Sequence, residues 1–305
     1  MTALQAQARP VPKSRDRLEL TELLALRHWP PARGGRPGRL ALRDGRHISP
    51  VRGRGMEFDD IRRFQQGDDI RQLDWKLLAR TGELHTRLFR EERERPVFIV
   101  ADMGASMQFA SRGHFKSLLV AYAASLVSWA AQIGGDRIGG QILTAQGEPQ
   151  LHKPRNSRQA VTGFISSLAT AVGAEGERRT DLHTVLNQLE GLLSTGTQCY
   201  LFSDFRDLDK GLAGRLQRLA QRCELQLVML SDPLERALPE GDSLCFMGGG
   251  QEIRLGAQDS ATRAAYAERF NQRRTAFEKL GHSANINVHH WSTDRHPLFE
   301  TGETV

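Results

Sequence analysis

Past residue 96 the chain alternates short apolar runs with longer helical patterns. The first run, VFIVA at 97–101, leads straight into Asp102, Gly104 and Ser106. A continuous apolar run bounded by turn residues reads as a buried strand of a parallel sheet. A helical pattern follows over 115–133, then a strand over 138–143 that hairpins through Gly147 to 150–152. A helix is expected over 159–169, and another over 182–193 with Thr180-Asp181 as its N-cap. The next strand, 199–202, ends at Ser203-Asp204; a helix over 211–222 leads to the strand 225–230, which ends at Ser231-Asp232. Hairpin arms at 244–247 and 252–255 flank three glycines, and a helix over 260–280 precedes a last strand over 286–290. This alternation predicts an α/β fold with a doubly wound, mainly parallel sheet.

The pattern before residue 96 is different. Residues 1–16 show no periodicity and read as disordered. Leu18, Leu20, Leu23, Leu24 and Leu26 suggest a short amphipathic helix that stops before Pro30-Pro31, and 30–38 reads as a linker. Residues 47–95 form a polar stretch of dense charge that reads as irregular, with a few extended pieces. Its apolar positions, among them Phe58, Ile61, Phe64, Leu73 and Trp75, suffice to pack it onto a neighbour but not to fold it alone. The expected division is therefore a flexible region with one short helix at 1–46, a charged segment at 47–95, an α/β domain at 96–292 and a tail at 293–305.

Charge sharpens this division. Residues 1–95 hold 21 Lys+Arg against 14 Asp+Glu, a balance of +7, whereas the rest hold 21 against 22. A basic N-terminal third admits nucleic acid or an acidic protein as partner. The acids are interleaved with the arginines, and Arg outnumbers Lys 36 to 6, so a solvated face accounts for much of the charge. No apolar run approaches the roughly 20 residues that cross a bilayer, so membrane insertion is not expected. The first residues lack the apolar core of a signal peptide, which points to the cytoplasm. Cys199, Cys223 and Cys245 have neither zinc nor redox spacing and read as small packing residues.

The candidate chemistry lies where the strands end. Asp102, Asp204 and Asp232 each follow a predicted strand, and open α/β sheets bind ligands at the carboxyl ends of their strands. Asp102, Ser106 and Asp204 are expected to converge there, with Thr180 entering from the loop before its helix. Asp and Ser four residues apart suit a hard cation such as Mg²⁺, which takes a few protein oxygens and fills the rest with water. Catalytic alternatives find little support. There is no G-x-G-x-x-G or Walker lysine, and Gly139-Gly140, inside a strand, reads as close packing. Ser106 is not in a G-x-S-x-G elbow, and of the histidines only His114 lies near the candidate edge. A metal-dependent hydrolase would also need a second ligand cluster.

DMGAS at 102–106, RTDL at 179–182 and FSDF at 202–205 resemble the metal-ion-dependent adhesion site of von Willebrand factor A domains. The upstream segment GRGMEFDDIRRFQQGDDIRQLDWKLLAR, at 53–80, resembles the signature of the bacterial family called domain of unknown function 58 (DUF58). That family carries this segment directly before an A-type domain. The match extends over about 47–290.

The resemblance implies a von Willebrand factor A-like, Rossmann-like sheet with a small N-terminal segment packed on it. It also implies a non-enzymatic adaptor acting with a MoxR-type AAA+ ATPase and other proteins of the same operon. Asp102 and Ser106 would be ligands of Mg²⁺, Thr180 would ligate in one state, and Asp204 would bind directly or through water. Gly104 stands where the full motif has a serine, which removes one hydroxyl ligand. Arg54, Glu57, Arg62, Arg63, Asp68, Asp69, Arg71, Asp74, Trp75 and Arg80 would face the partner. Ion pairs of Arg62, Arg63, Arg71 and Arg80 with Asp59, Asp60, Asp69 and Asp74 would hold the segment to the sheet, at about 0–1 kcal/mol each where exposed. The alternative function is nucleic-acid binding through the basic third, with affinity falling steeply as salt rises.

Overall fold

The computed structural model describes residues 12–28, 56–65, 73–91, 96–146, 149–176, 181–239, 244–248, 251–255, 260–283 and 285–298. The chain divides into two compact units, residues 45–94 and the remainder.

The larger unit is built on six strands: β3 (Pro96–Met103), β4 (Arg137–Thr144), β5 (Gln150–Arg155), β6 (Gln198–Ser203), β7 (Glu224–Ser231) and β10 (Ile286–Ser292). They lie in the order β10-β7-β6-β3-β4-β5, and all but the edge strand β5 run parallel. This is the mixed α/β architecture that the alternating pattern predicts. Each predicted element is present, with ends displaced by a few residues.

Strand alternation splits the core into two layers. Ile99, Ala101, Tyr200, Phe202, Val228 and Leu230 pack with helices α3 (Lys116–Ile133) and α4 (Arg158–Ala171). Phe98, Val100, Cys199, Leu201, Leu227 and Met229 pack with α5 (Leu182–Leu192), α6 (Lys210–Ala220) and α8 (Ser260–Leu280). Gly140 makes the first layer possible: a Cβ there would stand 2.5 Å from the Ile99 carbonyl oxygen and 2.6 Å from the Phe164 ring. The Gly139-Gly140 pair is thus a packing feature.

α3 is buried on nearly every side, including Ser117, Ser125 and Ser128. A helix with no polar face needs cover all round. The sheet supplies one side. On another lie α1 (Leu20–Ala25) and a following 3₁₀ turn (Leu26–His28), whose Leu23 and Leu26 are 0% and 1% exposed. Residues 12–16, part of the stretch that reads as disordered, are ordered beside them. Arg15 Nε donates to the Gly113 carbonyl at 2.7 Å, and Phe115 N donates to the Arg15 carbonyl at 2.9 Å.

The smaller unit is more regular than its sequence suggests. β1 (Met56–Arg63) pairs antiparallel with β2 (His85–Glu91), and α2 (Trp75–Thr81) lies between them in sequence. A register shift between Phe58 and Asp60 explains the misreading. A bulge adds one residue, so the apolar positions Met56, Phe58 and Ile61 lose strict alternation. A further hairpin joins β8 (Leu244–Gly248) and β9 (Gln251–Leu255), as the glycine-rich tip predicts. Among the described residues no helix is long and apolar enough to cross a membrane.

Candidate functional site

The chain order of the strands creates the crevice. From β3 the chain crosses to β4 on one side, and later returns to β6 on the other. Loops leaving neighbouring strands in opposite directions open a cleft at their carboxyl ends. Asp102 ends β3, and Ser203-Asp204 ends β6, so the fold brings both candidate acids to this edge.

Asp102 is 2% exposed. Its Oδ2 accepts from Ser203 Oγ at 2.6 Å, and its Oδ1 accepts from Gly104 N at 3.0 Å. The acid therefore ties the two strand ends together and shapes the turn into the 3₁₀ turn Ala105–Met107. Ser106 lies in that turn, where its hydroxyl helps lower the Asp204 carboxyl. Three of the four adhesion-type residues are thus placed at the edge; Thr180 lies outside the described residues.

Asp204 is 3% exposed and faces two cations. Its Oδ2 lies 3.3 Å from Lys116 Nζ and 2.8 Å from Arg206 Nε. Lys116, at the first turn of α3, is fully buried; its Nζ also donates to Glu235 Oε1 at 2.7 Å. Arg206 returns to Glu235 at 2.6 Å, closing a ring of two acids and two bases. Burial alone would raise the Asp204 carboxyl, but the Lys116 ammonium and the Arg206 guanidinium overcome it and hold it below the usual carboxylate range. The turn itself is strained: Phe205 has φ +48°, left-handed backbone that a bulky side chain rarely adopts. Its ring is fully buried against Phe277, at 4.8 Å between centroids, which holds the turn in place.

Asp232, the third strand-end acid, performs a different task. It caps α7 (Pro233–Arg236) in a capping box with Glu235. It also accepts from Ser111 N at 2.8 Å, from Ser111 Oγ, and from Thr293 Oγ1 at 2.6 Å. It thereby clasps the loop after β3 to the ends of β7 and β10. From the opposite side Gln108 fastens the same loop, donating to the Met103 and Ala171 carbonyls and accepting from Ser117 Oγ and Gly173 N. The loops of this edge are thus cross-linked by satisfied polar groups.

The residues present fit a divalent cation poorly. The Asp204 oxygen that would face it already holds an ammonium and a guanidinium, and Gly104 offers no hydroxyl. Among the described residues no group of three His, Cys, Asp or Glu side chains could hold a metal ion. Lys116, Arg206 and Glu235 were not among the residues that the sequence singles out. Two of them leave a trace there: Lys116 is the sole charge in the stretch 116–133, and Asp232-x-x-Glu235 is a capping-box pattern.

In the smaller unit, Asp74 is buried and caps α2, accepting from Lys76 N and Leu77 N at 3.0 Å. Trp75 beside it is 60% exposed, and Arg80 is exposed. Arg63 pairs with Glu83 at 3.0 Å rather than with the aspartates expected for it, and Arg62 donates to the Arg63 carbonyl. Glu57 lies on β1. Arg54, Asp68, Asp69 and Arg71 lie outside the described residues.

Comparison with known proteins gives relatives and similar structures. The uncharacterized protein Rv1480 of Mycobacterium tuberculosis (strain ATCC 25618 / H37Rv) is 30% identical over 225 residues, covering 73% of this chain and 70% of that protein. Among solved structures, an aerotolerance-related membrane protein from Bacteroides fragilis aligns with a TM-score of 0.39 at 14% identity, over 66% of this chain and 93% of the other. The SpRpn10 VWA domain aligns with a TM-score of 0.39 at 9% identity, over 68% and 93%. The sequence signature of the family described as "Protein of unknown function DUF58" matches residues 60–276, well over half of the chain, and the chain belongs to that family.

Proposed function

We propose that this chain is a non-enzymatic protein-interaction module, an adaptor that works with a MoxR-type AAA+ ATPase and binds through the carboxyl edge of its sheet. One observation carries the reading: the edge acids are engaged in holding loops. Asp102 is committed to Ser203 and Gly104, Asp204 to Lys116 and Arg206, and Asp232 to Ser111 and Thr293. General acid–base work needs a group free to exchange a proton with substrate. A binding surface needs the opposite, a shape fixed in advance so that little freedom is lost on association. Arg206, with a side chain 46% exposed, is the part of the cluster that reaches solvent. Membership of the DUF58 family supports the choice of partner, through the association that the family resemblance implies.

The test is capture of the ATPase by the full chain, against the variants Arg206→Glu and Asp102→Ala. Retention by the parent chain and loss with either variant, each still folded by circular dichroism at the assay temperature, supports the reading. Equal retention by all three removes the edge as the binding site, and no retention by the parent removes the partner.

A further inference from the structure

We infer that Lys116 is the built-in cation of this edge, a covalently attached ammonium that does the structural work a divalent ion does in a metal-ion-dependent adhesion site. The inference does not depend on the identity of any partner.

Three observations converge on it. The first is position. Lys116 projects from the start of α3 into the crevice formed by the ends of β3 and β6, with no part of it exposed. A buried lysine is rare unless its charge is matched. Here it is matched by two carboxylates from two different loops, Asp204 after β6 at 3.3 Å and Glu235 in α7 at 2.7 Å. Joining oxygens of separate loops around one positive charge is what a bound metal would accomplish.

The second is the state of the acid. Asp204 is the carboxylate that the adhesion motif would direct at a metal. Its charge is taken by Lys116, by Arg206 at 2.8 Å and by the Ser106 hydroxyl. A second cation brought to the same oxygen would be repelled by a fixed ammonium in a water-poor setting, where charges interact strongly.

The third is the missing ligand. Gly104 has an extended backbone at φ −65° and ψ 174°, a geometry open to serine, yet carries no hydroxyl. A missing ligand hydroxyl and a buried ammonium in one crevice are complementary features. Each alone would weaken the site: Gly104 with a metal leaves the metal under-coordinated, and Lys116 without paired acids is a buried unpaired charge.

The consequence is an edge that holds its shape whatever the divalent cation concentration. The experiment uses the full chain and Mn²⁺ as probe, followed by electron paramagnetic resonance, with thermal unfolding in MgCl₂ and in EDTA. The parent chain is expected to bind no Mn²⁺ at this edge and to melt at the same temperature in both solutions. Lys116→Gln is expected to lower the melting temperature by on the order of 10 °C. Lys116→Gln combined with Gly104→Ser is expected to gain Mn²⁺ binding and a melting temperature that rises with Mg²⁺. Mn²⁺ binding by the parent chain that disappears in Asp204→Asn would overturn the inference. So would a Lys116→Gln protein that melts like the parent in EDTA. Should the lysine variants fail to fold, Mn²⁺ binding by the parent chain that is lost in Asp204→Asn would still overturn the inference.

Discussion

The Tyr122 hydroxyl donates to the Glu22 carboxylate at 2.6 Å, joining α3 to a helix 100 residues earlier in the chain. Burial and the neighbouring Glu22 charge push the phenol well above its ordinary value, so it stays a donor at all working pH. Trp129 Nε1 donates to the Leu23 carbonyl at 3.1 Å on the same seam. The N-terminal helix is therefore a fastened part of the larger unit's core. Leu23→Ala is expected to cost about 2–5 kcal/mol, as for other buried leucines. Tyr122→Phe is expected to cost about 1–3 kcal/mol, because it leaves Glu22 without its donor. Urea denaturation of the two variants and their double mutant checks both values; a double mutant that adds the two losses would show that the seam is not a coupled unit.

Stability at mildly acid pH should depend on His296. Burial pushes this imidazole down to about 4 from an ordinary 6.5, with His114 contributing and Asp294 opposing. The folded state therefore holds His296 neutral while the unfolded chain takes up a proton below pH 6.5. Its contribution is complete above 6.5 and is lost as pH falls from 6.5 towards 4. The loss is on the order of 1–3 kcal/mol. His296→Gln should reduce but not abolish the loss across that window, because burial pushes His290 down to about 4 as well, with nearby arginines contributing; denaturation at fixed pH values measures it, and an unchanged slope would assign the loss to the other buried histidines.

A second acid transition belongs to the edge. Burial would raise the Asp204 and Asp232 carboxyls, but Lys116 and Arg206 for the former, and Ser111 and Thr293 for the latter, hold both below their ordinary 3.8. Depressed carboxyls stabilise the fold above that value and lose this contribution as pH falls through the folded values. Unfolding of the parent chain should therefore steepen below about pH 4. Asp232→Asn should blunt that steepening without touching the His296 window.

Gly113 should tolerate no side chain. Its φ is +68°, and a Cβ would lie 1.8 Å from the Thr293 carbonyl oxygen. Both the left-handed backbone and the contact oppose alanine. Gly113→Ala is expected to lose more than about 2 kcal/mol, and proteolysis should then open the loop that Asp232 and Arg15 clasp. Gly82 has a similar φ of +72° with nothing within 4 Å, so Gly82→Ala should show the backbone penalty alone, about 1 kcal/mol.

The basic N-terminal third offers a direct test of the rival function. Among its described arginines, Arg15 is drawn onto Gly113 and Ser111 and Arg63 onto Glu83, while Arg80 is exposed. Gel shift with duplex DNA at low salt should show little binding. A shift that collapses as salt rises would instead favour nucleic acid.

Pattern alone located the sheet and its ligand edge, because continuous runs such as VFIVA and strand-end acids such as Asp102 and Asp204 carry both signals locally. The buried ring at that edge was not legible in the same way. Lys116, Arg206 and Glu235 meet only because β3, β6 and β7 are neighbours, a fact of topology and not of spacing. The same holds for α1. Its leucines announce an amphipathic helix, and the charge-poor α3 announces a helix needing cover, but nothing in either stretch names the other. In the smaller unit a bulge concealed a strand by breaking its period.

The interruption of the larger unit by residues 45–94 has a consequence for synthesis. α1 leaves the ribosome before α3, and the helix it packs on follows only after the whole inserted unit has been made. Closing so long a loop costs little free energy, since each doubling of length adds only about 0.6 kcal/mol. Its effect falls on the order of events instead. A nascent or truncated chain ending before α3 would leave Leu23 and Leu26 uncovered, an apolar flag for chaperones and proteases. The burial of α1 thus waits on a helix made some ninety residues later, and marks a chain whose central helix has arrived.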